Sequence, residues 1–318
     1  MRTSLRRAGA VAAIVSLAVA ACSGGASPSP SASPSSAAPS VAASPSQEPS
    51  PTPDACAAEN LETRTAGTLT IGTDNPAFPP YFAAREGGNT EPWDPEWGDP
   101  TTGEGFESAV AYAIADQLGF SEDQVTWVVV PFLNAFAPGP KDFDFDINQV
   151  TFNEERAQGA DLSEGYYFGN QTVIVREGSP FQGATTVTAL KEAKLGAQLG
   201  TTSLAAIEEV IAPTQEAAVF NTNDDAIEAL GNEQIDGILV DLPTAFFIVN
   251  VQTEGNVIVG QIGEAAGATP EHFSLVLEKD SPLTDCVNQA IAALTDDGTI
   301  AGLIEEWLPD ATVPELQP

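Results

Sequence analysis

The chain has 318 residues, enough for one large domain or two of ordinary size; 42% are hydrophobic and 7% aromatic, which supports a sizeable buried core. Lys and Arg total 11 against 45 Asp and Glu, a net charge of −34. Nucleic acid and anionic lipid both require basic patches, so neither is expected as a partner. The one histidine, His272, rules out multi-histidine metal sites and leaves a histidine-based catalytic triad a single candidate.

Arg2, Arg6 and Arg7 precede an apolar run, Ala8 to Ala21, which is shorter than the roughly 20 residues of a membrane-spanning helix. Residues 1–21 therefore read as a secretory signal. The run ends in Val19-Ala20-Ala21-Cys22, small residues followed by cysteine as in a bacterial lipobox. Cys22 is expected to be lipidated and to become the new N-terminus; an ordinary signal peptide is the alternative. Removal of that segment leaves eight basic residues: Arg64, Arg85, Lys141, Arg156, Arg176, Lys191, Lys194 and Lys279. Residues 23–53 hold 11 Ser and 8 Pro with almost nothing large and apolar, so 22–60 is expected to be an extended tether. The globular part would then sit on the extracellular face of the membrane, held by a lipid. With one thiol lipidated, Cys56 and Cys286 make an even count in an oxidising space, and a disulfide between them is expected, with two free buried thiols as the alternative.

From Gly67 onward short β-branched runs alternate with helical patterns, the signature of βαβ units. Leu69 and Ile71 mark a first strand. Phe106, Val110, Ala113, Ile114 and Leu118 recur at helical spacing up to Gly119. Val125–Val130, with Trp127, and Thr172–Arg176 read as strands. A second set follows: strand 195–199, a helix from Ser203, strand 218–220, a helix around Ile227 and Leu230, strand 237–240, a helix near Phe246 and strand 257–259. Strand 273–277 comes next, then a helix with Leu283, Val287, Ile291 and Leu294 on one face, and a last helix to Leu308. About 250 residues is large for one core, so two α/β lobes are expected.

Several local patterns occur in a particular order. Gly67-Thr-Leu-Thr-Ile-Gly-Thr-Asp74 opens the domain, and Gly105-Phe-Glu107 precedes the first helix. Asp144-Phe-Asp-Ile-Asn-Gln-Val-Thr151 runs on to Arg156, with Asp161-Leu-Ser163-Glu-Gly-Tyr166-Tyr167 behind it. Leu195-Gly-Ala-Gln-Leu-Gly200-Thr201-Thr202-Ser203 opens the second set, Ile235-Asp236 to Asp241 closes its sheet, and Asp296-Asp-Gly298-Thr299 and Trp307-Leu308 belong to the last helices. This set resembles the polar amino-acid family of extracellular solute-binding proteins that serve ABC importers, over about residues 64–310. The resemblance implies an α/β, two-lobed periplasmic-binding-protein-like (type II) fold with two hinge strands, near Val175 and Leu275. Lobe 1 would span 64–176 plus 265–310, and lobe 2 would span 177–264. It also implies a monomer without a cofactor, capturing an amino acid by lobe closure and docking on a membrane permease.

A zwitterionic amino acid needs a cation for its carboxylate and an anion for its ammonium, shielded from water. A guanidinium fork suits the first task. Without the motif around it, Arg156 reads as a surface arginine pairing with Glu154 or Glu155; the resemblance makes it the carboxylate-binding residue. Gly200-Thr201-Thr202-Ser203 lies at a strand-to-helix junction, where free N–H groups attract anions and where a hydroxyl also caps a helix. The resemblance gives Thr201 and Thr202 a share of the carboxylate and Asp241, at a strand's carboxyl end, the ammonium; Asp241 is otherwise a cap for a helix near Pro243. Asp74, Phe78, Tyr81, Phe132 and Thr151 fall on the first-lobe side of the implied cleft, where aromatics sandwich a side chain and Asp74 pairs with a cationic one. Asn148 and Gln149 replace small residues and re-polarise the pocket, and Ala109 replaces an acid. Residues 85–104, with Trp93 and Trp97, look like an insertion at the cleft edge. The acidic chain attracts cations, a lean towards a basic amino acid.

The same residues admit other chemistry. Tyr166-Tyr167 suggests a ferric site and Asp142, Asp144 and Asp146 a divalent one, but the alternation of those acids with Phe143, Phe145 and Ile147 reads as a half-exposed strand. No nucleophile elbow, phosphate loop or dinucleotide fingerprint is present. Related folds host dehydratases, so a cleft enzyme is the alternative of a different class, and a ligand sensor a third.

Overall fold

The computed structural model describes residues 55–263, 269–309 and 312–318. The expected signal segment, Cys22 and the tether up to residue 54 lie outside the described residues. Among those described, no helix is long and apolar enough to cross a membrane.

In chain order the first elements are β1 (Leu69–Thr73), α1 (Phe106–Gln117), β2 (Val125–Val129), α2 (Phe132–Ala135), β3 (Phe145–Asp146), α3 (Arg156–Gly159), β4 (Asp161–Phe168) and β5 (Gln171–Arg176). Then follow β6 (Leu195–Gln198), α4 (Thr202–Ala205), β7 (Ala218–Phe220), α5 (Asn223–Gly231), β8 (Gly237–Asp241), α6 (Leu242–Phe247) and β9 (Asn256–Ile262). The chain ends with β10 (His272–Leu277), α7 (Thr284–Asp296), α8 (Thr299–Trp307) and β11 (Glu315–Leu316). The strands form two sheets, ordered β2-β1-β3-β10-β4 and β11-β9-β5-β8-β6-β7.

The first sheet is parallel from β2 to β3, with Ile71 opposite Trp127 on one side and Phe145 on the other. Every residue of β1 is buried, as expected of a parallel strand covered on both faces. The apolar stripe Phe106, Val110, Ile114 and Leu118 of α1 packs into the core with Leu69, Ile71, Leu275 and Val287, and α1 lies against α7 and α8. Each such side chain contributes about 1.5–3 kcal/mol when fully buried. Gly105 starts α1 at φ 93°; a Cβ there would stand 2.6 Å from Tyr81 O and from Phe82 Cα, so only glycine allows this close crossing. Cys56 is disulfide-bonded to Cys286 of α7, the expected pair. Residues 58–60 already form a helical turn, with Ala58 against the core, so the fold begins earlier than the expected tether end at 60.

The second sheet separates its apolar residues by strand alternation. Val173, Val175 and Leu239 face one layer, with Leu190, Leu195 and Ile207. Ile174, Ile238 and Val240 face the other, with Ala226, Leu230 and Ile248.

Three expectations are corrected. The stretch 143–147 is fully buried rather than half-exposed, because β3 sits between β1 and β10. The Asp144 carboxylate accepts the N–H groups of Arg64 and Thr70, each at 2.7 Å, whereas neither oxygen of Asp146 has a partner among the described residues. Burial raises the Asp146 carboxyl well above the usual range. Secondly, β5 pairs with β8 and β9, and Leu275 lies inside the first sheet. The chain therefore changes sheets between Phe168 and Gln171 and again between Ile262 and His272, not at Val175 and Leu275. Thirdly, β11 pairs with β9, so the chain crosses a third time after α8. Residues 85–104, the expected insertion, form a tightly tied loop. Buried Asp99 accepts Arg85 Nε at 2.9 Å and the N–H groups of Thr90 and Thr101. Burial works against its charge, but the bonds from Thr101, Thr90 and Arg85 prevail and hold its pKa at about 2.

Candidate ligand-binding cleft

The parallel strands of both sheets send their following loops toward one cavity of about 220 Å³. From the first sheet come Asp74 after β1, Phe132 after β2, and Asn148, Gln149 and Thr151 after β3, together with Phe78 and with Arg156 of α3. From the second come Thr201 and Thr202 after β6, Asn223 and Asp224 after β7, Asp241 at the end of β8, and Thr244 of α6. Ligand groups gather at the carboxyl ends of strands in open α/β sheets for this topological reason.

Arg156 is 5% exposed and is not a surface arginine. Its guanidinium donates to the carbonyl of Thr151 in its own lobe and, at 2.8 Å, to the carbonyl of Gly200 in the other. It also lies over the rings of Phe136, at 4.3 Å, and Phe132, at 5.6 Å. Burial lowers its pKa to about 10, so it stays charged near neutrality. Gly200 makes that contact at φ 77°, a left-handed conformation, with Leu133 packed where a side chain would begin.

Asp241 occupies the N-cap position of α6, but its side chain makes no capping bond. Its Oδ1 instead accepts Gln171 Nε2 at 2.8 Å. Gln171 Nε2 also lies within donating distance of Thr202 Oγ1 at 3.2 Å and Glu271 Oε1 at 2.6 Å, so one amide ties the wall residues Asp241 and Thr202 to Glu271 behind them. Burial, and next the charge of Glu271, raise the Asp241 pKa to about 7 against Gln171 and Arg156. Thr202 Oγ1 reaches Thr151 Oγ1 across the cleft at 3.3 Å. Thr201 accepts the Leu204 N–H at 3.2 Å and donates to Gln198 O at 2.7 Å, which makes it a helix cap.

Nine of the ten expected binding residues line this cavity: Arg156, Asp241, Thr202, Thr201, Thr151, Asp74, Phe78, Phe132 and Gln149. Tyr81 does not. It is 2% exposed, its hydroxyl is 3.0 Å from Thr244 Oγ1, and it borders a smaller adjoining recess. The sequence reading missed Asn223, Asp224 and Thr244; the first two follow β7 just as Thr201 follows β6, and that repeated strand-to-helix position was the available signal. It also missed what lies behind Gln149. Glu107, buried, accepts the Tyr166 hydroxyl at 2.6 Å, the Gln149 N–H at 2.8 Å and the Gln149 side-chain amide. Burial raises its pKa to about 7 against those bonds. The grip holds Gln149 at φ 47° in the cavity wall, and it commits Tyr166 to Glu107.

Two α/β lobes enclosing a polar cavity are the type II periplasmic-binding-protein architecture. Residues 69–310 match the model of bacterial extracellular solute-binding proteins, family 3, and the chain belongs to that family. The L-cystine-binding protein TcyJ of Escherichia coli is 28% identical over 77% of this chain and 84% of its own length. The arginine-binding extracellular protein ArtP of Bacillus subtilis is 25% identical over 64% of this chain and 77% of its own. Among solved structures, an ancestral arginine-binding protein bound to arginine superposes with a TM-score of 0.59 at 25% identity, over 76% of this chain and 99% of the other.

Proposed function

We propose that this chain is the substrate-binding component of an ABC importer and captures a polar amino acid between its lobes. The observation that carries the reading is a buried cation, Arg156, and a carboxylate, Asp241, contributed by different lobes to one cavity. Arg156 holds the ligand carboxylate with help from Thr151, Thr201 and Thr202; Asp241 holds the ammonium. Asp74, Phe78, Phe132 and Gln149 line the side-chain end. The acidic lining supports the lean towards a basic amino acid, and relatives whose names record arginine or cystine binding support the amino-acid class. A ligand touching both lobes favours the closed form by its differential affinity. The protein acts as a monomer on the extracellular face of the membrane, tethered by a lipid on Cys22, and delivers ligand to a permease.

A thermal-shift panel of the common amino acids, sugars, polyamines and metal salts tests this. At about a hundred times the dissociation constant, ligand should stabilise the protein by about 2.7 kcal/mol. Arg156→Ala should abolish the shift; a full shift in that variant would overturn the carboxylate assignment. The raised Asp241 carboxyl also suits a general base, the one observation favouring a cleft enzyme. Conversion of a bound amino acid into product, followed by mass spectrometry, would establish that second reading.

A further inference from the structure

The cavity has more acid than an amino-acid backbone uses. Its charged lining residues are Arg156, Asp241, Asp74 and Asp224. On the reading above, on which this inference rests, the ligand's carboxylate and ammonium take up Arg156 and Asp241. Two carboxylates remain, one from each lobe. Asp74 leaves β1; its oxygens accept the N–H groups of Asn75 at 2.7 Å and Phe132 at 3.1 Å, and burial raises its pKa. Asp224 lies in the first turn of α5 and accepts Gln252 Nε2 at 2.6 Å. Among the described residues no other basic side chain lines the cavity, and the Arg156 guanidinium is already turned to the Thr151 and Gly200 carbonyls.

An independent feature marks the same region as ligand-facing. Asn148 is 8% exposed, lines the cavity, and its Nδ2 has no partner among the described residues. It leaves β3, the neighbour of the β1 strand that delivers Asp74. A buried polar group without a partner costs stability unless something in the bound state meets it. Phe78 adds an aromatic surface on the first-lobe side, suited to a flat or cationic group.

We infer that Asp224 is a specificity-determining residue that joins Asp74 in bracketing a cationic distal group on the ligand, one acid from each lobe. Closure then adds the second acid to the far end of the ligand, and the charge balance of the closed cleft is met by a guanidinium or ammonium side chain. A neutral side chain leaves the half-buried Asp74 and the exposed Asp224 facing the cavity without a counter-charge. A ligand whose far end is itself zwitterionic, as in cystine, brings an ammonium to the two acids but also a carboxylate, a third negative group there.

The test is calorimetric titration of the purified protein with L-arginine, L-lysine, L-citrulline, L-glutamine and L-cystine, repeated with Asp224→Asn and Asp74→Asn. Citrulline matches arginine in size and lacks its charge. Arginine or lysine should bind about a hundredfold tighter than citrulline, and Asp224→Asn should shrink that ratio about tenfold. Equal binding of arginine and citrulline, tighter binding of cystine, or an unchanged ratio in Asp224→Asn would overturn the inference while leaving an amino-acid receptor standing. If no amino acid in the panel bound, the amino-acid reading would fall and this inference with it.

Discussion

Acidification should release the ligand through Asp241. The carboxyl meets the ligand ammonium only when ionised, yet in the empty cleft its pKa stands at about 7, raised by burial and by Glu271. Well above that pH binding changes no protonation. Near it, binding expels about half a proton, and below it a whole one, so affinity falls as pH drops through the raised value. Each unit below 7 costs roughly a factor of ten, and at about pH 5.5 the loss is roughly thirtyfold. Glu107 titrates over the same range, but it faces Tyr166 and Gln149 rather than the cavity, so its protonation acts on the wall and not on the ammonium. Isothermal titration between about pH 8 and about pH 5.5, in two buffers with different heats of ionisation, reads both the dissociation constant and the proton released. Asp241→Asn should bind weakly at every pH and show no buffer-dependent heat. A flat affinity across that range, with heats independent of buffer, would refute the role given to Asp241.

The disulfide and the closed contact at Gly200 yield two further expectations. Cys56 and Cys286 are 230 residues apart, so in the chain-entropy model their bond contributes on the order of 5 kcal/mol. Cys286→Ser, or reduction, should lower the melting temperature by roughly 10 °C or more, and an unchanged calorimetric midpoint would remove the bond from the stability argument. At Gly200, alanine would carry a left-handed backbone at about 1–2 kcal/mol and place its Cβ 2.5 Å from Leu133 Cδ2 across the cleft. Gly200→Ala should weaken ligand binding about tenfold, with partial recovery when Leu133→Ala is added. Wild-type affinity in the single variant would count against closure at this contact.

The sequence periodicity located most long elements because their apolar residues meet a core at regular intervals. Phe106, Val110, Ile114 and Leu118 recur every fourth residue and are buried together. Val173 and Val175 alternate with Ile174 to opposite faces of the second sheet. Periodicity does not say which sheet a strand joins, and so the apolar run that became β5 was assigned to the wrong lobe. At β3 the strand was legible but its full burial was not: an acid buried without a partner among the described residues, as Asp146 is, looks in sequence like an acid facing water. Within the cleft, the scarcity of basic residues drew notice to Arg156 and the end of an apolar strand to Asp241, but only the family resemblance gave them ligand roles, since each alone reads as a surface arginine and a helix cap. Tyr81 stands behind Thr244 and not in the cavity lining, a distinction the local pattern does not carry, since an aromatic beside a cleft and one beneath its wall look alike in sequence. The hold of Glu107 on Gln149 joins residues 42 apart and has no local signature.

The C-terminal strand bears on how the halves move. Thr172 of β5, Gln261 of β9 and Glu315 of β11 lie side by side at the end of the second sheet where the chain enters or leaves it. Gln261 fastens the last of these with its backbone N–H on Pro314 O and its side chain on Val313 O. Neighbouring strands are about 4.8 Å apart, so three attachments in a row give a joint about 10 Å wide. A narrow pair of straps would permit swivelling as well as bending. The broader strip resists swivelling, because turning one half in the plane of the strip would stretch one outer strap and slacken the other. Bending about the line of the strip remains free. On the proposed closing motion the two halves would work like a door on a piano hinge, and closure would bring Arg156 to the same carbonyl at Gly200.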